Sequence, residues 1–392
     1  MKKTMNSFEY RNPTKILFGK GKIQKLKDNI PANATILFAY GGGSIKKNGI
    51  YDQAMAELGA YRVIEFSGIE ANPKYETLMK AVDLGRKEKI DFILAVGGGS
   101  VLDAAKFIAL AIPYDAGDPW DMLVNRTAGQ QKKAIPIGTI LTLPATGSEM
   151  NGNSVISRES SREKLSFGSP LVFPAFSILD PTVVSSLPKT QLANGVIDAF
   201  SHVLEQYMTY PADAPIQDNF AEGIMRTLIE IGPTIIDNPS DEISAGNFMW
   251  SCTMALNGLI AQGVPTDWAT HMIGHELTAL YGIDHAQTLA IIGPNLYRVM
   301  FSDKKEKLAQ YATRVWDIRE GSTEEKATAA IEKTVAFFHL LGVKTKLSEY
   351  TPSYKETAAI IQDRFATRKW TALGENGIVT LDKVKEIVEL SY

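Results

Sequence analysis

The segment Phe92-Ile-Leu-Ala-Val-Gly-Gly-Gly-Ser-Val-Leu-Asp-Ala-Ala-Lys106 joins an apolar run to a glycine triplet and then to a helical pattern. The run predicts a strand at Phe92–Val96, and the apolar spacing that follows predicts a helix at Val101–Leu110. Glycine lets the backbone approach a phosphate closely, and the start of the next helix offers free N–H groups. The segment therefore predicts one strand–loop–helix unit of a nucleotide-binding α/β domain.

A second glycine triplet, Gly41–Gly43, follows a predicted strand at Thr35–Tyr40. Neither triplet matches the G-x-G-x-x-G dinucleotide fingerprint or the G-x-x-x-x-G-K-[ST] phosphate loop. One triplet alone is weak support for a site, because glycine commonly just ends a strand. Two triplets at strand ends of a parallel sheet favour dinucleotide binding.

The residues after this triplet bear on the choice of cofactor. A site selective for NAD usually places an acidic residue after a strand, where it bonds the adenosine ribose hydroxyls. Here the strand end offers a hydroxyl and two ammonium groups, and no carboxylate that would repel a 2′-phosphate. The sequence therefore predicts NADP(H) as the cofactor. The residues expected to bind it in this loop are Gly41, Gly42, Gly43, Ser44, Lys46 and Lys47.

A third loop, Thr142–Asn151, follows another predicted strand and is rich in hydroxyls and small residues. This composition fits a wall around the nicotinamide or its phosphates. By itself the segment is equally compatible with an ordinary polar turn.

The chain changes character at Leu187-Pro188. Before this point, β-rich runs alternate with helical patterns, which is typical of parallel βαβ units. The predicted strands are Lys15–Phe18, Thr35–Tyr40, Arg62–Phe66, Phe92–Val96 and Ala134–Leu143, with helices at Tyr51–Gly59, Tyr75–Lys89 and Val101–Leu110. Short segments at Ser154–Arg158, Lys164–Phe167 and Phe176–Leu179 complete this half. These patterns predict a Rossmann-like α/β dinucleotide-binding domain over residues 1–187.

After Pro188, apolar residues recur at spacings of three and four, and no segment reads convincingly as a strand. The predicted helices are Thr190–Tyr207, Gln217–Ile231, Asp241–Ile260, Asp267–Tyr281, Gln287–Phe301, Lys304–Trp316, Thr323–Leu341, Tyr354–Asp363 and Leu381–Ser391. The sequence therefore predicts an all-helical second domain over residues 188–392.

Composition excludes several classes of function. A formal net charge of -3 over 392 residues gives no electrostatic case for nucleic acid or an anionic membrane as a partner. No apolar run is long enough to span a membrane, and the N-terminus does not resemble a signal peptide. The one cysteine, Cys252, rules out an intramolecular disulfide and lies in an apolar helical pattern. We therefore expect a buried thiol in a cytoplasmic protein.

Four of the five histidines fall within residues 198–285. Asp198 and His202 are four residues apart, as are His271 and His275, and this spacing places each pair on one face of a helix. One such pair could arise by chance on a solvated helix face. Two pairs set among apolar residues indicate that a carboxylate and several imidazoles converge on a divalent metal.

Spacing alone leaves the set of metal ligands open. Asp267 lies one turn before His271, and His275 could bind a metal together with His271. The segment that begins with His275-Glu276 lacks the second histidine of the H-E-x-x-H pattern, so it is not a zinc protease motif.

The chain resembles the iron-containing (group III) alcohol dehydrogenase family over nearly its full length, and most of all the NADPH-dependent butanol dehydrogenase and aldehyde reductase branch. The motifs that carry the resemblance are Gly-Gly-Gly-Ser-Ile-Lys-Lys at 41–47, Gly-Gly-Gly-Ser-Val-Leu-Asp-Ala-Ala-Lys at 97–106, Leu-Pro-Ala-Thr-Gly-Ser-Glu-Met-Asn at 143–151, Asp198-Ala-Phe-Ser-His202, and the segment from His271 to His285. They occur in the family order. One departure is Ala286, where the family often has glycine after the last histidine.

The resemblance implies an active site in a cleft between a dinucleotide-binding domain and a helical domain. It implies that the metal ligands are Asp198, His202, His271 and His285, whereas His275 lies near the nicotinamide. His339 is isolated in an apolar helical pattern, so we expect it to be structural. The cofactor contacts that the resemblance implies are Gly98, Gly99, Ser100 and Asp103 on the pyrophosphate side, with Thr142, Thr146, Asn151 and Lys164 elsewhere. It also implies a homodimer formed through an N-terminal edge strand, here Lys15–Phe18.

These features predict an oxidoreductase that transfers hydride between NADP(H) and a primary alcohol or aldehyde, with Fe²⁺, Zn²⁺ or Mn²⁺ as the Lewis acid. The candidates for the proton relay are water, the cofactor ribose and His275. Alternatives are a lyase similar to dehydroquinate synthase, a non-catalytic metal- or nucleotide-binding protein, and a dehydrogenase specific for glycerol or a diol. The lyase would need a pocket rich in Lys and Arg, and few lie near the metal motifs.

Overall fold

The computed structural model describes residues 4–392 and divides them into two compact units. The α/β unit comprises Arg11–Leu187 together with Asn238–Asn257. The helical unit comprises the described residues up to Tyr10, Pro188–Asp237 and Gly258–Tyr392. The sequence changes character at the same point, Leu187-Pro188, but helical periodicity could not show that Asn238–Asn257 packs with the α/β unit.

The strands and helices follow the chain in an α/β half and a mostly helical half. The strands are β1 (Lys15–Phe18), β2 (Thr35–Tyr40), β3 (Arg62–Phe66), β4 (Phe92–Gly98), β5 (Ile137–Leu143), β6 (Asn153–Arg158), β7 (Glu163–Gly168), β8 (Phe176–Leu179), β9 (Ala372–Leu373) and β10 (Val379–Thr380). The helices are α1 (Ser44–Lys47), α2 (Ile50–Glu57), α3 (Tyr75–Glu88), α4 (Gly99–Ala111), α5 (Asp121–Val124), α6 (Lys189–Tyr207), α7 (Pro215–Asp237), α8 (Glu242–Ala255), α9 (Ala269–Tyr281), α10 (His285–Val299), α11 (Phe301–Val315), α12 (Thr323–Leu340), α13 (Thr357–Thr367) and α14 (Leu381–Leu390).

A six-stranded sheet in the order β1-β8-β5-β4-β2-β3 forms the centre of the α/β unit. All of its neighbouring strands run parallel. The inner strands β2, β4, β5 and β8 are almost wholly buried, which is why they read as uninterrupted apolar runs. The edge strands β1 and β3 are partly exposed. Strands β6 and β7 form a separate antiparallel pair.

The order of the strands reverses direction between β2 and β4. The chain passes from β2 to its outer neighbour β3, then returns past β2 to β4 and continues outward to β5. In open α/β sheets, ligands bind beyond the carboxyl ends of the strands at such a switch point. The register pairs Tyr40 with Val96, so the two glycine triplets that follow these residues emerge side by side there.

Helix α6 lies in the core of the helical unit, where nearly every residue from Leu192 to Tyr207 is buried. A helix that is covered on all sides does not show a simple polar face, and its polar residues must find partners inside the protein. Helices α9 and α10 pack against each other, and α10 also packs against α6. This packing brings the three helices that carry histidines 202, 271, 275 and 285 together.

The prediction that residues 188–392 contain no strand is wrong, because β9 and β10 form a small antiparallel pair. Each strand has two residues, which is too short for an alternating pattern to be visible in the sequence. Gly374 and Gly377 adopt φ of 71° and 64° in the turn between them, a conformation that favours glycine. No helix among the described residues has both the length and the apolarity needed to cross a membrane.

Candidate metal and cofactor sites

Asp198, His202, His271 and His285 come together in the helical unit, with ligand atoms that all lie within 4.8 Å of one another. Asp198 and His202 lie on one face of α6, one turn apart, as their spacing predicts. His271 lies in the first turn of α9, and His285 is the first residue of α10. Tertiary packing thus unites two residues from one helix with one from each of two others.

The geometry of this group fits a divalent metal. The Nε2 atoms of His202 and His285 each lie 3.7 Å from Asp198 Oδ1, too far for hydrogen bonds. Ligands bound tetrahedrally to one metal at about 2.1 Å would be about 3.4 Å apart. Asp198 Oδ1 is buried and accepts no hydrogen bond from the described residues. One carboxylate and three imidazoles are a donor set that suits Zn²⁺ or Fe²⁺.

Close packing between α9 and α10 positions two of these ligands. A Cβ at Gly274 would lie 2.8 Å from Thr288 Oγ1, so a side chain there would push the two helices apart. Ala286, where the family often has glycine, is buried in the first turn of α10 and is not among the residues with positive φ. The sequence departure therefore leaves His285 in place.

Glu205 was not predicted from the sequence, although it contacts a metal ligand directly. Its side chain is buried, Oε2 makes a short hydrogen bond with Nδ1 of His271, and Oε1 accepts a hydrogen bond from the Thr270 backbone N–H at 2.6 Å. Burial and the charge of Asp267 raise the pKa of Glu205 to about 8. A nearby divalent cation would favour the ionised form. The feature of the sequence that could have indicated this contact is the position of Glu205, about one turn after His202 on the same predicted helix.

Asp267, which spacing left as a rival ligand, belongs to a buried triad with Lys304 and Glu375. Lys304 Nζ donates to Asp267 Oδ2 at 2.8 Å, to both carboxylate oxygens of Glu375, and to the backbone oxygen of Met208. Asp267 Oδ1 accepts a hydrogen bond from the N–H of Ala269, the first residue of α9. The triad therefore anchors the segment that leads into His271.

We expect Glu375 to make the free energy of unfolding fall as the pH rises from about 4.5 to about 8. Burial, followed by the hydrogen bond with Asp267, raises the pKa of Glu375 to about 8 from an ordinary value of 4.5. Within this window the folded protein holds a proton that the unfolded chain has released, so raising the pH favours unfolding. Urea denaturation of the Glu375→Gln variant should give a flatter pH dependence than the wild type. Parallel curves would contradict the assignment.

His275 lies beside the metal ligands without belonging to their cluster. Its ring centroid is 5.1 Å from that of His285 and 6.3 Å from that of His271. It is only partly buried, which suits a group that exchanges protons with solvent or substrate. His339 is exposed and its Nε2 lies 2.9 Å from Thr345 Oγ1, apart from the cluster.

The two glycine triplets need glycine for different reasons. Gly43 has a φ of 93°, and a Cβ there would meet nothing within 4 Å, so its requirement is conformational. In the second triplet the requirement is space, because a Cβ at Gly99 would lie 2.4 Å from Thr146 Oγ1 and one at Gly98 would lie 2.9 Å from the Leu143 Cβ. The close approach leaves the first N–H groups of α4 at the switch point, where they can bind a pyrophosphate.

A buried network supports the loop Thr142–Asn151. Lys106 is fully buried, and its Nζ donates to Ser148 Oγ, Asn151 Oδ1 and the backbone oxygen of Asn153 at 2.7–2.9 Å. Asp103 accepts hydrogen bonds from Ser148 Oγ and from the Val155 N–H. Burial lowers the pKa of Lys106 to about 8.

The structure thus gives two of the predicted cofactor residues internal partners. The Asn151 amide also donates to the backbone oxygens of Gly147 and Leu256, and its oxygen accepts from the Asn153 N–H. The side chains of Asn151 and Asp103 therefore shape the loop. Their direct contact with a cofactor stays a prediction.

Lys164 and Ser100 share a partner that the sequence did not reveal. Lys164 is buried, and its Nζ donates to Asn72 Oδ1 at 2.8 Å. The Asn72 N–H in turn donates to Ser100 Oγ at 3.3 Å. Asn72 has a φ of 55°, which is uncommon outside glycine but tolerated by asparagine. Asn72 links the first turn of α4 to β7 and is a further candidate for cofactor contact.

The expectation that no carboxylate lies near the first glycine loop is wrong. Glu65, from the neighbouring strand β3, accepts hydrogen bonds from the hydroxyls of Tyr40 and Tyr51, and its Oε2 lies 4.0 Å from Lys46 Nζ. Lys46 Nζ also lies over the ring of Tyr51, 4.5 Å from its centroid. The pairing of β2 with β3 brings this carboxylate close, and the local sequence could not show that.

A parallel sheet with two glycine loops at its switch point, together with an Asp-His₃ group, defines a dehydrogenase that uses a nicotinamide cofactor and a divalent metal. The family model for iron-containing alcohol dehydrogenases matches residues 13–181, and the model for the C-terminal part of that family matches residues 192–392. The chain therefore belongs to the iron-containing alcohol dehydrogenase family and is an oxidoreductase of that class. The family predicted from the sequence motifs is confirmed.

Similar proteins cover the whole chain. It is 53% identical to the NADPH-dependent aldehyde reductase YqhD of Escherichia coli, over 98% of this chain and 99% of that one. It is 43% identical to the probable NADH-dependent butanol dehydrogenase 1 of Bacillus subtilis, over 88% and 90% of the two chains. A crystal structure of the Escherichia coli YqhD protein superposes with a TM-score of 0.97 at 51% identity, covering 100% of both chains. A butanol dehydrogenase from Thermotoga maritima superposes with a TM-score of 0.93 at 36% identity and 99% coverage of both.

Proposed function

We propose that the protein reduces small aldehydes to primary alcohols with NADPH, in a reaction that depends on a divalent metal held by Asp198, His202, His271 and His285. The convergence of these four ligands, three of them buried and His285 partly buried, within 4.8 Å is the observation that carries the proposal. The similarity to an NADPH-dependent aldehyde reductase at 53% identity supports the cofactor and the substrate class. A chain with a single cysteine cannot form an intramolecular disulfide and so needs no oxidising compartment. We therefore place the enzyme in the cytoplasm.

When bound, the metal supplies Lewis-acid polarisation of the substrate carbonyl and the nicotinamide supplies the hydride. The protein's part is to hold these groups and to manage the proton. The three histidines must be neutral to offer lone pairs to the metal. Reduction of an aldehyde consumes one proton, which an imidazole nitrogen of His275 can deliver to the alcohol oxygen.

An aldehyde panel tests this function. The protein is stripped of metal, loaded separately with Zn²⁺, Fe²⁺ and Mn²⁺, and assayed at 340 nm with NADPH and with NADH. We expect turnover of butanal and similar aldehydes that requires a metal and is more efficient with NADPH. Full activity without metal would refute the proposed role of the four ligands. Preference for NADH would refute the cofactor assignment alone.

Replacing Lys46 with alanine should raise the KM for NADPH about tenfold or more and leave the KM for NADH nearly unchanged. The Tyr51 ring and Glu65 orient the Lys46 ammonium, and a 2′-phosphate would gain a charge-assisted hydrogen bond from it. Lys25→Ala is the control, since it removes an exposed ammonium group of the same unit that pairs with Asp28 and is not among the predicted cofactor contacts. Steady-state kinetics with both cofactors measures the difference. Equal changes for NADPH and NADH would contradict the assignment.

We also infer a homodimer that forms through strand β1. This strand pairs with β8 on one side, and no strand of the described chain pairs with its other side. An unpaired edge readily accepts a strand from a second molecule. Phe18 and Trp250 are 39% and 40% exposed and pack edge to face there, 5.9 Å apart. Sedimentation equilibrium should show a dimer, and a monomer at every concentration would refute this inference.

A further inference from the structure

Glu205 joins two of the elements that carry the metal ligands. It follows His202 by three residues on α6, and its side chain is 2% exposed. Oε2 bonds to Nδ1 of His271, and Oε1 accepts from the N–H of Thr270. Its backbone oxygen also accepts a hydrogen bond from the Asp267 N–H at 3.1 Å. Three hydrogen bonds from one residue thus hold the segment that begins α9.

The contact with Nδ1 determines how His271 can bind a metal. A neutral imidazole carries its proton on one ring nitrogen and a lone pair on the other. When the Glu205 carboxylate accepts from Nδ1–H, the lone pair must lie on Nε2. Because Nδ1 is engaged with Glu205, Nε2 is the atom of His271 that is left to bind the metal. A carboxylate that accepts a hydrogen bond from a metal-bound histidine orients the imidazole ring and makes its other nitrogen a stronger electron-pair donor to the metal.

Charge balance gives Glu205 a second role. Asp198 is the one carboxylate among the four ligands, so a divalent ion in their midst would leave one positive charge uncompensated. The surroundings are buried, and an uncompensated charge in such a place is costly. The Glu205 carboxylate, connected through the His271 ring, would bring the total to zero.

We propose that Glu205 is a positioning residue for the metal, which selects the Nδ1–H form of His271, fixes its ring and completes the charge of the site. This inference rests on the proposed metal-dependent function. It adds a fifth residue, which does not touch the metal, to the set that determines how tightly the metal is held.

The test compares Glu205→Gln with Glu222→Gln. The first variant keeps the size of the side chain but leaves one acceptor oxygen for two donors, His271 Nδ1–H and the Thr270 N–H. Glu222 is also 2% exposed and lies in the same unit, where it bonds to Tyr207 and Gln310 instead of a metal ligand. It therefore controls for the loss of a buried carboxylate without disturbing the site.

Competition of the metal-free proteins with a chromophoric chelator for Zn²⁺ gives the affinity independently of activity. We expect Glu205→Gln to bind about 10- to 100-fold more weakly than wild type, and Glu222→Gln to bind like wild type. At saturating Co²⁺, the visible absorption band should shift in Glu205→Gln and stay in place in Glu222→Gln. A change in affinity and spectrum confined to one variant separates a role at the metal from a general loss of stability.

Equal Zn²⁺ affinity of Glu205→Gln and wild type, or equal losses in the two variants, would overturn the inference. If Glu205→Gln does not fold, Glu205→Asp replaces it, because aspartate keeps the charge but withdraws the carboxylate by one methylene. We then expect at least about a tenfold loss of affinity, and wild-type affinity would overturn the inference. Failure of the wild-type protein to bind Zn²⁺ would instead refute the proposed function, so the two failures are distinguishable.

Discussion

Replacing His271 with alanine is expected to abolish turnover and to lower the metal content of the purified protein. The substitution removes one of four ligands and leaves the Glu205 carboxylate facing a cavity where it bonded the imidazole. Changes that touch a ligand only indirectly cost about 10- to 100-fold in metal affinity, so loss of the ligand itself should cost at least about 100-fold. Metal content by mass spectrometry and the NADPH-dependent reduction of butanal measure the two effects.

His339→Ala is the matched control for this prediction. It also removes an imidazole from a helix of the same unit, but His339 is exposed, bonds to Thr345 and lies outside the metal-ligand group. We expect metal content and turnover like those of the wild type. Circular dichroism of both variants checks that they are folded. A folded His271→Ala protein with full activity and little metal would contradict the proposed role of the metal.

Replacing Lys304 with methionine should lower the free energy of unfolding by about 3 to 5 kcal/mol, the range for breaking a buried ion pair by removing one partner. The Lys304 side chain is 1% exposed and bonds to Asp267, Glu375 and the backbone oxygen of Met208. Methionine has a similar length, so the loss reflects stranded polar groups more than a cavity. Urea denaturation, followed by circular dichroism, measures it. Metal affinity should fall as well, because Asp267 bonds to the first residue of the helix that carries His271.

Lys305→Met is the control, since this neighbour on α11 pairs with Glu324 at an exposed position and should change stability little. The triple variant Lys304→Met, Asp267→Asn, Glu375→Gln removes the stranded Asp267 charge and the Glu375 carboxyl group together with the cation. It should recover part of the lost stability, because neutral groups cost less to bury than unpaired charges. Equal stability of Lys304→Met and Lys305→Met would contradict the account of the triad.

Local pattern sufficed for most of the secondary structure. The five strands predicted before Pro188 correspond to β1 through β5, and the end of β2 at Tyr40 was placed correctly. The three short segments that follow them in the sequence correspond to β6 through β8. The inner strands were visible because a buried parallel strand is apolar throughout. The pair β9–β10 was missed because two-residue strands carry no periodicity, and α8 was assigned to the helical half because nothing in its spacing shows which unit it packs against.

Among the candidate metal ligands and the residues that contact them, some positions follow from local spacing and others depend on tertiary packing. The i, i+4 spacing of Asp198 and His202 is local, and the sequence predicted that they share a helix face. Other contacts join segments that are far apart in the sequence. Asp267 bonds to Lys304, and His285 Nε2 lies 3.7 Å from Asp198 Oδ1. Glu65 beside Lys46 and Glu205 beside His271 were missed for this reason, since both contacts cross from one element to another.

By itself, the sequence determined the class of the fold, the two glycine loops, the motifs of the family and the shared helix face of Asp198 and His202. These depend on residue type and on spacing within a strand, a loop or a helix, where geometry follows from neighbours along the chain. The tertiary structure decided which strands lie side by side at the switch point and which buried carboxylates support the ligands. Those outcomes depend on how elements pack, where the close approach of α9 and α10 at Gly274 and the desolvation of charged groups determine which side chains meet.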